Sequence, residues 1–356
     1  MNQKAFVTGV TGFVGANLAR LLLERGYEVR ALVRKTANRG NLPDDARFTA
    51  IEGDLRDANS IVNAMKGCDQ VFHVAADYRF WARNPQELYD SNVIGTTNLM
   101  KAAGDLGVSR IVHTSTVGAI GLADQPQPCT EETPEDPGQF TSHYKRSKLE
   151  AEYVALDFAK QGLPVVVVNP STPIGAWDRK PTPTGKIIVD FVNGKIPAYV
   201  ETGLNFANVR DICEGHLLAA EKGRTGERYI LGGENITMVE FLDLIAKECE
   251  ALGMIGAPTR APSIRIPYRM AWLTGLVSTT WSDLVTHREP AVALEAVKMS
   301  ERYMYFDSSK AIRELGLRQT PIAGAIRDAL IWFHAQSYFK RIQYQNTERT
   351  SYVSTH

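Results

Sequence analysis

The sequence carries no excess of either charge: Lys and Arg number 40, and so do Asp and Glu, in 356 residues. Net charge therefore gives no support for a nucleic-acid or acidic-lipid partner, and such a partner would need a local basic patch. Cysteine is scarce, at four, and Cys68, Cys129, Cys213 and Cys249 form no CxxC pair. That pattern reads as unpaired thiols in a reducing cytosol rather than a disulfide framework. The seven histidines show neither an HExxH pair nor a ligand cluster, so no metal site is expected. Long apolar runs are missing too. No stretch approaches the ~18 apolar residues that span a bilayer. The apolar N-terminus is broken by Gly9, Gly12 and Gly15 and followed early by Arg20 and Glu24, unlike a signal peptide. A soluble, cytoplasmic protein is the expectation. Tyr268 to Trp281 is apolar but short, and reads as a packed helix rather than a membrane anchor.

What is present is a rhythm. Strand-like segments KAFVT, EVRALVR, RFTAIEGD, QVFHVAA, RIVHTST and PVVVVNP alternate with helical periodicity at Phe13–Arg25, Asp57–Lys66, Leu88–Leu106 and Ser142–Lys160. Such alternation predicts an α/β protein with a doubly wound parallel sheet of the Rossmann type, helices on both faces. After Pro170 the texture shifts to Pro, Gly and Thr, then to helices, one opened by Thr237 and Glu240 as a capping box. The expected division is a dinucleotide-binding domain over 1–171 plus 205–233. A smaller, mostly helical substrate region covers 172–204 plus 234–335, and 338–356 reads as a frayed polar tail.

Thr8 to Gly15, TGVTGFVG, joins the first strand to the first helix. A lone glycine triplet is weak evidence, but strand–loop–helix is the setting it needs. Gly9 permits the tight turn, Gly12 lets a pyrophosphate approach the backbone, and Gly15 lets the helix pack close. The helix N-terminus then offers free N–H groups to phosphate. At the end of the second strand, Arg34 and Lys35 stand where an acid would hold the ribose hydroxyls of NAD. A cation there pairs with a 2′-phosphate, so NADP is expected over NAD.

Tyr144 and Lys148 lie four apart, on one helix face. A phenol titrates near 10, and a nearby ammonium is expected to lower it, making a general acid/base beside a hydride carrier. Alone the pair is weak. It gains force from the hydroxyls of Thr114, Ser115 and Thr116 that end the preceding strand, where Thr116 can position a reacting oxygen.

Together these residues closely resemble the extended short-chain dehydrogenase/reductase family. TGxxGFxG matches at every fixed position and YxxxK matches at Tyr144 and Lys148. The resemblance covers about residues 4 to 335. It implies catalytic roles for Thr116, Tyr144 and Lys148, with Asn92 ordering the lysine through water. It further implies dinucleotide contacts at Gly9, Thr11, Gly12, Phe13, Val14 and Gly15, at Arg34, Lys35, Asp54 and Leu55, at Val74, Ala75 and Ala76, at Thr114, Tyr144 and Lys148, and at Pro170, Ser171 and Thr172. Tyr78 and Trp81 are candidates to stack on substrate. FANVRD, Phe206 to Asp211, resembles the family's later strand–helix signature.

HVAADYRFWA, HYKRSK and NPSTPIGAWDRKPTPTG are similar to bacterial hopanoid-associated sugar epimerases, themselves similar to the NADPH-using dihydroflavonol reductases. Sugar-nucleotide members carry an arginine just before the FxxVxD strand for the diphosphate, where this chain has Leu204 and Asn205. The reading is an NADP-dependent reductase of a carbonyl on a small organic substrate. A nucleotide-sugar epimerase or dehydratase is the alternative, and a non-catalytic dinucleotide-binding regulator is the reading from a different class. Helices 88–106 and 142–160 form a dimer interface in many members, so a homodimer is implied by analogy.

Overall fold

The computed structural model describes residues 3–79, 81–122, 127–135, 138, 140, 142–286, 290, 292, 294–340 and 342–344. The first half runs β1 (Lys4–Thr8), α1 (Phe13–Glu24), β2 (Glu28–Val33), β3 (Phe48–Glu52), α2 (Ala58–Met65), β4 (Gln70–His73), α3 (Gln86–Tyr89), α4 (Gly95–Asp105), β5 (Arg110–Thr114), α5 (His143–Lys160) and β6 (Val165–Pro170). There follow β7 (Thr172–Ile174), α6 (Pro183–Val192), β8 (Ala198–Val200), β9 (Gly203–Asn208), α7 (Val209–Lys222), β10 (Arg228–Leu231), β11 (Glu234–Thr237) and α8 (Met238–Ala251). The chain closes with β12 (Met254–Ile255), β13 (Ile264–Ile266), α9 (Tyr268–Trp281), α10 (Leu294–Met299), α11 (Ser309–Leu315), α12 (Ile322–Ala335) and β14 (Gln343–Tyr344).

Seven strands form one sheet in the order β10-β6-β5-β4-β1-β2-β3. Every pairing in it is parallel. A parallel sheet needs both faces covered, and two apolar cores do this. One packs Leu18, Leu22, Ile212 and Leu217 of α1 and α7 against Val7, Val29 and Val168. The other packs Ile61, Met65, Leu99 and Ala155 of α2, α4 and α5 against Phe6, Val71, Ile111 and Val167. The strand order reverses between β1 and β4, so a crevice opens at their carboxyl ends, where such sheets take ligands.

A third core joins α6, α8 and α12, with Phe206 stacked on Phe241 at 4.1 Å. Beside it lies a three-stranded sheet, β11-β9-β7. Three boundaries differ from expectation. Residues 205–208, assigned to the dinucleotide domain, belong to β9 of this small sheet. Ala311 and Leu315 of α11, assigned to the substrate region, pack in the α1/α7 core. Residues 338–340 and 342–344 are not frayed: Phe339 and Ile342 are buried in the third core, and β14 pairs with β12. Apolar spacing too short for a helix hid that anchor, while 345–356 lie outside the described residues.

Thr237 and Glu240 form the expected capping box of α8. The helix expected over 88–106 is interrupted by a π-helical turn at Asp90–Ile94 between α3 and α4. Among the described residues no helix is long and apolar enough to cross a membrane. The four cysteines are buried, and none is in a disulfide.

Candidate active site

The glycine loop needs its glycines for separate steric reasons. Gly9 has φ +79°, and a Cβ there would stand 2.7 Å from the Ala75 backbone nitrogen. A Cβ on Gly15 would stand 2.2 Å from the Gly9 carbonyl oxygen, so α1 can approach the loop only without one. Gly12 N–H donates to that same carbonyl at 2.9 Å and caps α1 with no side-chain acceptor. No acid occupies the first turn of α1, so its N–H groups face outward unopposed. Thr11 and Val14 are half-buried and Phe13 is buried.

Thr8 ties the loop to β4: its hydroxyl accepts from Ala75 N–H at 3.1 Å and bonds His73 Nδ1 at 2.8 Å. Val74 and Ala76 flank that contact and are half-buried. At the end of β2, Arg34 and Lys35 are exposed. Arg34 lies near enough to Asp54 to help hold its carboxyl below the usual range, though the main cause is the Arg56 fork at 2.7 and 2.9 Å. Leu55 packs beside Gly95, and its carbonyl accepts from Asn98 Nδ2 at 3.0 Å.

On the other side of the crevice, α5 begins at Ser142, whose hydroxyl caps the Lys145 N–H at 3.2 Å. Tyr144, Lys148 and Glu152 then recur every fourth residue on one face. The Tyr144 phenol bonds Thr116. Lys148 is buried and donates to the Thr114 carbonyl at 2.8 Å. Burial lowers its pKa to about 8, and Glu152 partly offsets this. The Tyr144 phenol departs from expectation: burial pushes it above its ordinary value, the Thr116 bond pulls down only in part, and the Tyr78 phenol adds to the rise. Here the ammonium is tied to a carbonyl rather than to the phenol, which explains the difference.

Asn92 sits in the π turn, buried. Its Oδ1 accepts from Asp77 N–H at 2.8 Å, and its Nδ2 donates to Asp77 O and Ser147 Oγ, both at 3.0 Å. Ser147 in turn donates to the Tyr144 carbonyl at 2.9 Å. The wider helical turn thus couples Asn92 to α5 and to the segment bearing Tyr78; such turns are frequent at functional sites. Tyr78 is 42% exposed at the mouth, and Trp81 is half-buried; Phe80 lies outside the described residues.

The reading of the sequence missed Glu152 and Arg228. Glu152 is fully buried, bonded by Arg228 Nη1 at 3.0 Å and Asn169 Nδ2 at 2.8 Å. Asn169 also donates to the Thr116 carbonyl at 3.0 Å, so this ion pair braces the strand end beside Tyr144. The four-residue spacing from Tyr144 and Lys148 was the available signal.

Several buried polar atoms await a partner at the sheet's carboxyl edge. Ser115 Oγ after β5 and Ser171 Oγ after β6 have none among the described residues. Pro170 ends β6 and Thr172 begins β7 beside them. With a helix N-terminus that has no side-chain cap and a loop whose close turns at Gly9 and Gly15 leave no room for a Cβ, these orphan hydroxyls fit a bound dinucleotide.

His73, His113 and His216 are buried, and burial lowers all three: His73 to about 3, His216 to about 4, and His113 well below its ordinary value. As pH falls the unfolded chain therefore takes up protons first. Their contribution is full above about pH 6.5 and is lost below it, at ~1.4 kcal/mol per pH unit per histidine. Asp178, raised to about 6 by burial, acts in the opposite sense and offsets part. The melting temperature is expected to fall steadily between about pH 7 and pH 5; a flat or rising profile would contradict neutral burial of these rings.

Sheet, glycine cradle and Tyr–Lys–Thr cluster define an NAD(P)-dependent oxidoreductase or epimerase. The NAD-dependent epimerase/dehydratase family model matches residues 5–232, and the chain belongs to that family, within the extended short-chain dehydrogenases/reductases. It is 45% identical to the "Putative dihydroflavonol 4-reductase" of Synechocystis sp., over 94% of this chain and 96% of that one. It is 36% identical to "Sterol demethylase protein B" of Methylococcus capsulatus, over 92% and 97%. Among solved structures it resembles that of gox2253, with a TM-score of 0.82 and 41% identity over 95% and 100%.

Proposed function

We propose that the protein is an NADP-dependent reductase of a carbonyl on an apolar, ring-bearing small molecule. The observation that carries this reading is the Tyr144 phenol bonded to Thr116, one helical turn from the buried Lys148 ammonium, across the crevice from the glycine loop. Bound NADPH would supply the hydride. Thr116 and Tyr144 hold the substrate oxygen from two sides, and Tyr144 gives its proton to the oxygen as charge develops. Its raised pKa keeps that proton in place at neutral pH. Lys148 carries its charge below about pH 8, one helical turn from Tyr144, and would hold a ribose hydroxyl of the bound dinucleotide. Asn92 holds the π turn against α5, and so keeps Tyr144 in register.

Arg34 supports NADP. It is exposed at the end of β2 with no ion pair among the described residues, and so is available to a 2′-phosphate. The nucleotide-sugar alternative meets an obstacle at β9. Leu204 packs in an apolar core, and Asn205 is buried and held by Asn235 at 2.7 Å, so neither offers a diphosphate a cation. The 36%-identical relative named for sterols supports a polycyclic substrate.

Turnover of NADPH with a panel of cyclic and terpenoid ketones tests the reading. NADPH oxidation by wild type should exceed NADH oxidation, and Arg34→Ala should weaken NADPH binding about tenfold while leaving NADH nearly unchanged. Equal losses for both cofactors would remove the phosphate role from Arg34.

A further inference from the structure

Tyr268 to Trp281 reads in sequence as a packed helix, yet in α9 only Gly275 is buried. Gly275 sits against Leu294 and Val297 of α10, where a Cβ would come within 3.2 Å of both. The opposite face is bare. Met270, Leu273, Val277 and Trp281 are 62, 57, 61 and 61% exposed, and Leu284 in the next turn is 74% exposed. Their spacing of three, four, four and three residues places all five on one narrow stripe. Thr274 and Thr280 flank it, both exposed.

Charge is distributed unevenly around this stripe. From Gly256 to Leu284 there are three arginines, Arg260, Arg265 and Arg269, against one acid, Asp283. Arg265 is paired with Glu201, whereas exposed Arg260 and Arg269 make no ion pair among the described residues. Arg269 adjoins Met270 at the edge of the stripe, and Ile264, 61% exposed, lies between Arg260 and Arg269 in sequence. An apolar stripe flanked by unneutralised arginines matches the interface of an anionic bilayer: acyl chains for one, headgroup phosphates for the other. Self-association fits less well. A stripe about 21 Å long and ~10 Å wide offers on the order of 200 Å² in projection, far below the roughly 800 Å² per partner of a stable dimer.

The helix also lies near the chemistry. Glu295 of α10, the helix that carries α9, faces Lys145 next to Tyr144. We propose that α9 lies flat on an anionic lipid bilayer, apolar stripe down, and seats the mouth of the active site at the membrane surface. Bilayer binding is independent of the reductase reading. That the site draws a lipid-dissolved carbonyl from the membrane rests on it.

Co-sedimentation of the full chain with vesicles separates the outcomes. Vesicles of phosphatidylcholine with one part in three phosphatidylglycerol should carry the protein down, and phosphatidylcholine alone should carry about tenfold less. Arg260→Ala and Arg269→Ala should each weaken binding about fivefold, and raised salt should do the same. The double change Leu273→Glu, Val277→Glu should abolish it while NADPH binding, which reports the folded state, persists; Trp281→Ser serves if that pair misfolds. Wild type left in the supernatant with both vesicles overturns the proposal. So does a wild-type dimer that the glutamate changes split while neither form binds vesicles, because the stripe then belongs to a second copy. Loss of carbonyl turnover with vesicle binding intact would instead strike only the reductase reading.

Discussion

Tyr144→Phe is expected to lower kcat for NADPH-dependent carbonyl reduction by about 10²–10⁴-fold, the range that a positioned general acid supplies. NADPH binding should change little, because the phenyl ring fills the same space and Lys148 keeps its bond to the Thr114 carbonyl. The loss should fall on kcat rather than KM, since the proton is needed as charge develops on the substrate oxygen. Thr116→Ala removes the hydroxyl that bonds the phenol and should cost less, because Tyr144 would retain its proton. Equal turnover by wild type and Tyr144→Phe, measured by NADPH consumption, would take the acid role away from this residue.

The second large effect is expected at Glu152. Its carboxylate is fully buried and holds Arg228 and Asn169 together. Glu152→Ala leaves a largely buried guanidinium facing an empty site, a defect that typically costs about 3–5 kcal/mol. Glu135 remains within 3.5 Å of Arg228 and will soften that loss. Denaturant unfolding reads the stability directly. Glu152→Gln tests the link to chemistry: it keeps the shape but removes the charge that raises the Lys148 pKa. The alkaline limb of the pH–rate profile, set near 8 by Lys148, should then move to lower pH. An unmoved limb would show that Lys148 does not govern it.

The parts of this protein legible from sequence are those governed by local chemistry. Gly9 and Gly15 announce a tight loop because no other residue fits against Ala75 and the Gly9 carbonyl. The caps at Ser142 and Thr237 mark helix starts because their hydroxyls are needed there. Tyr144 and Lys148 share a face because helical geometry requires it.

Features set by distant partners were hidden. A π turn leaves the apolar spacing almost unchanged, so the register shift at Asn92 was invisible. Glu152 and Arg228 are 76 residues apart, and only the fold shows that they meet. Whether Gly203–Asn208 joins the large sheet or a small one depends on β7 and β11, not on its own sequence. Apolar periodicity in α9 reveals a face but not what covers it, so an outward stripe read as a packed one. Zero net charge likewise conceals a stretch, 256–284, with three arginines against one acid.

The central claim is net hydride transfer from NADPH to a substrate carbonyl, and the fate of the hydride tests it most directly. NADPH deuterated at the transferable position of its nicotinamide should give oxidised NADP and a product alcohol carrying one deuterium on the former carbonyl carbon, in equal amounts. Deuterium retained on the cofactor, while a nucleotide sugar changes configuration with no net NADPH consumed, would contradict the account and make the protein an epimerase.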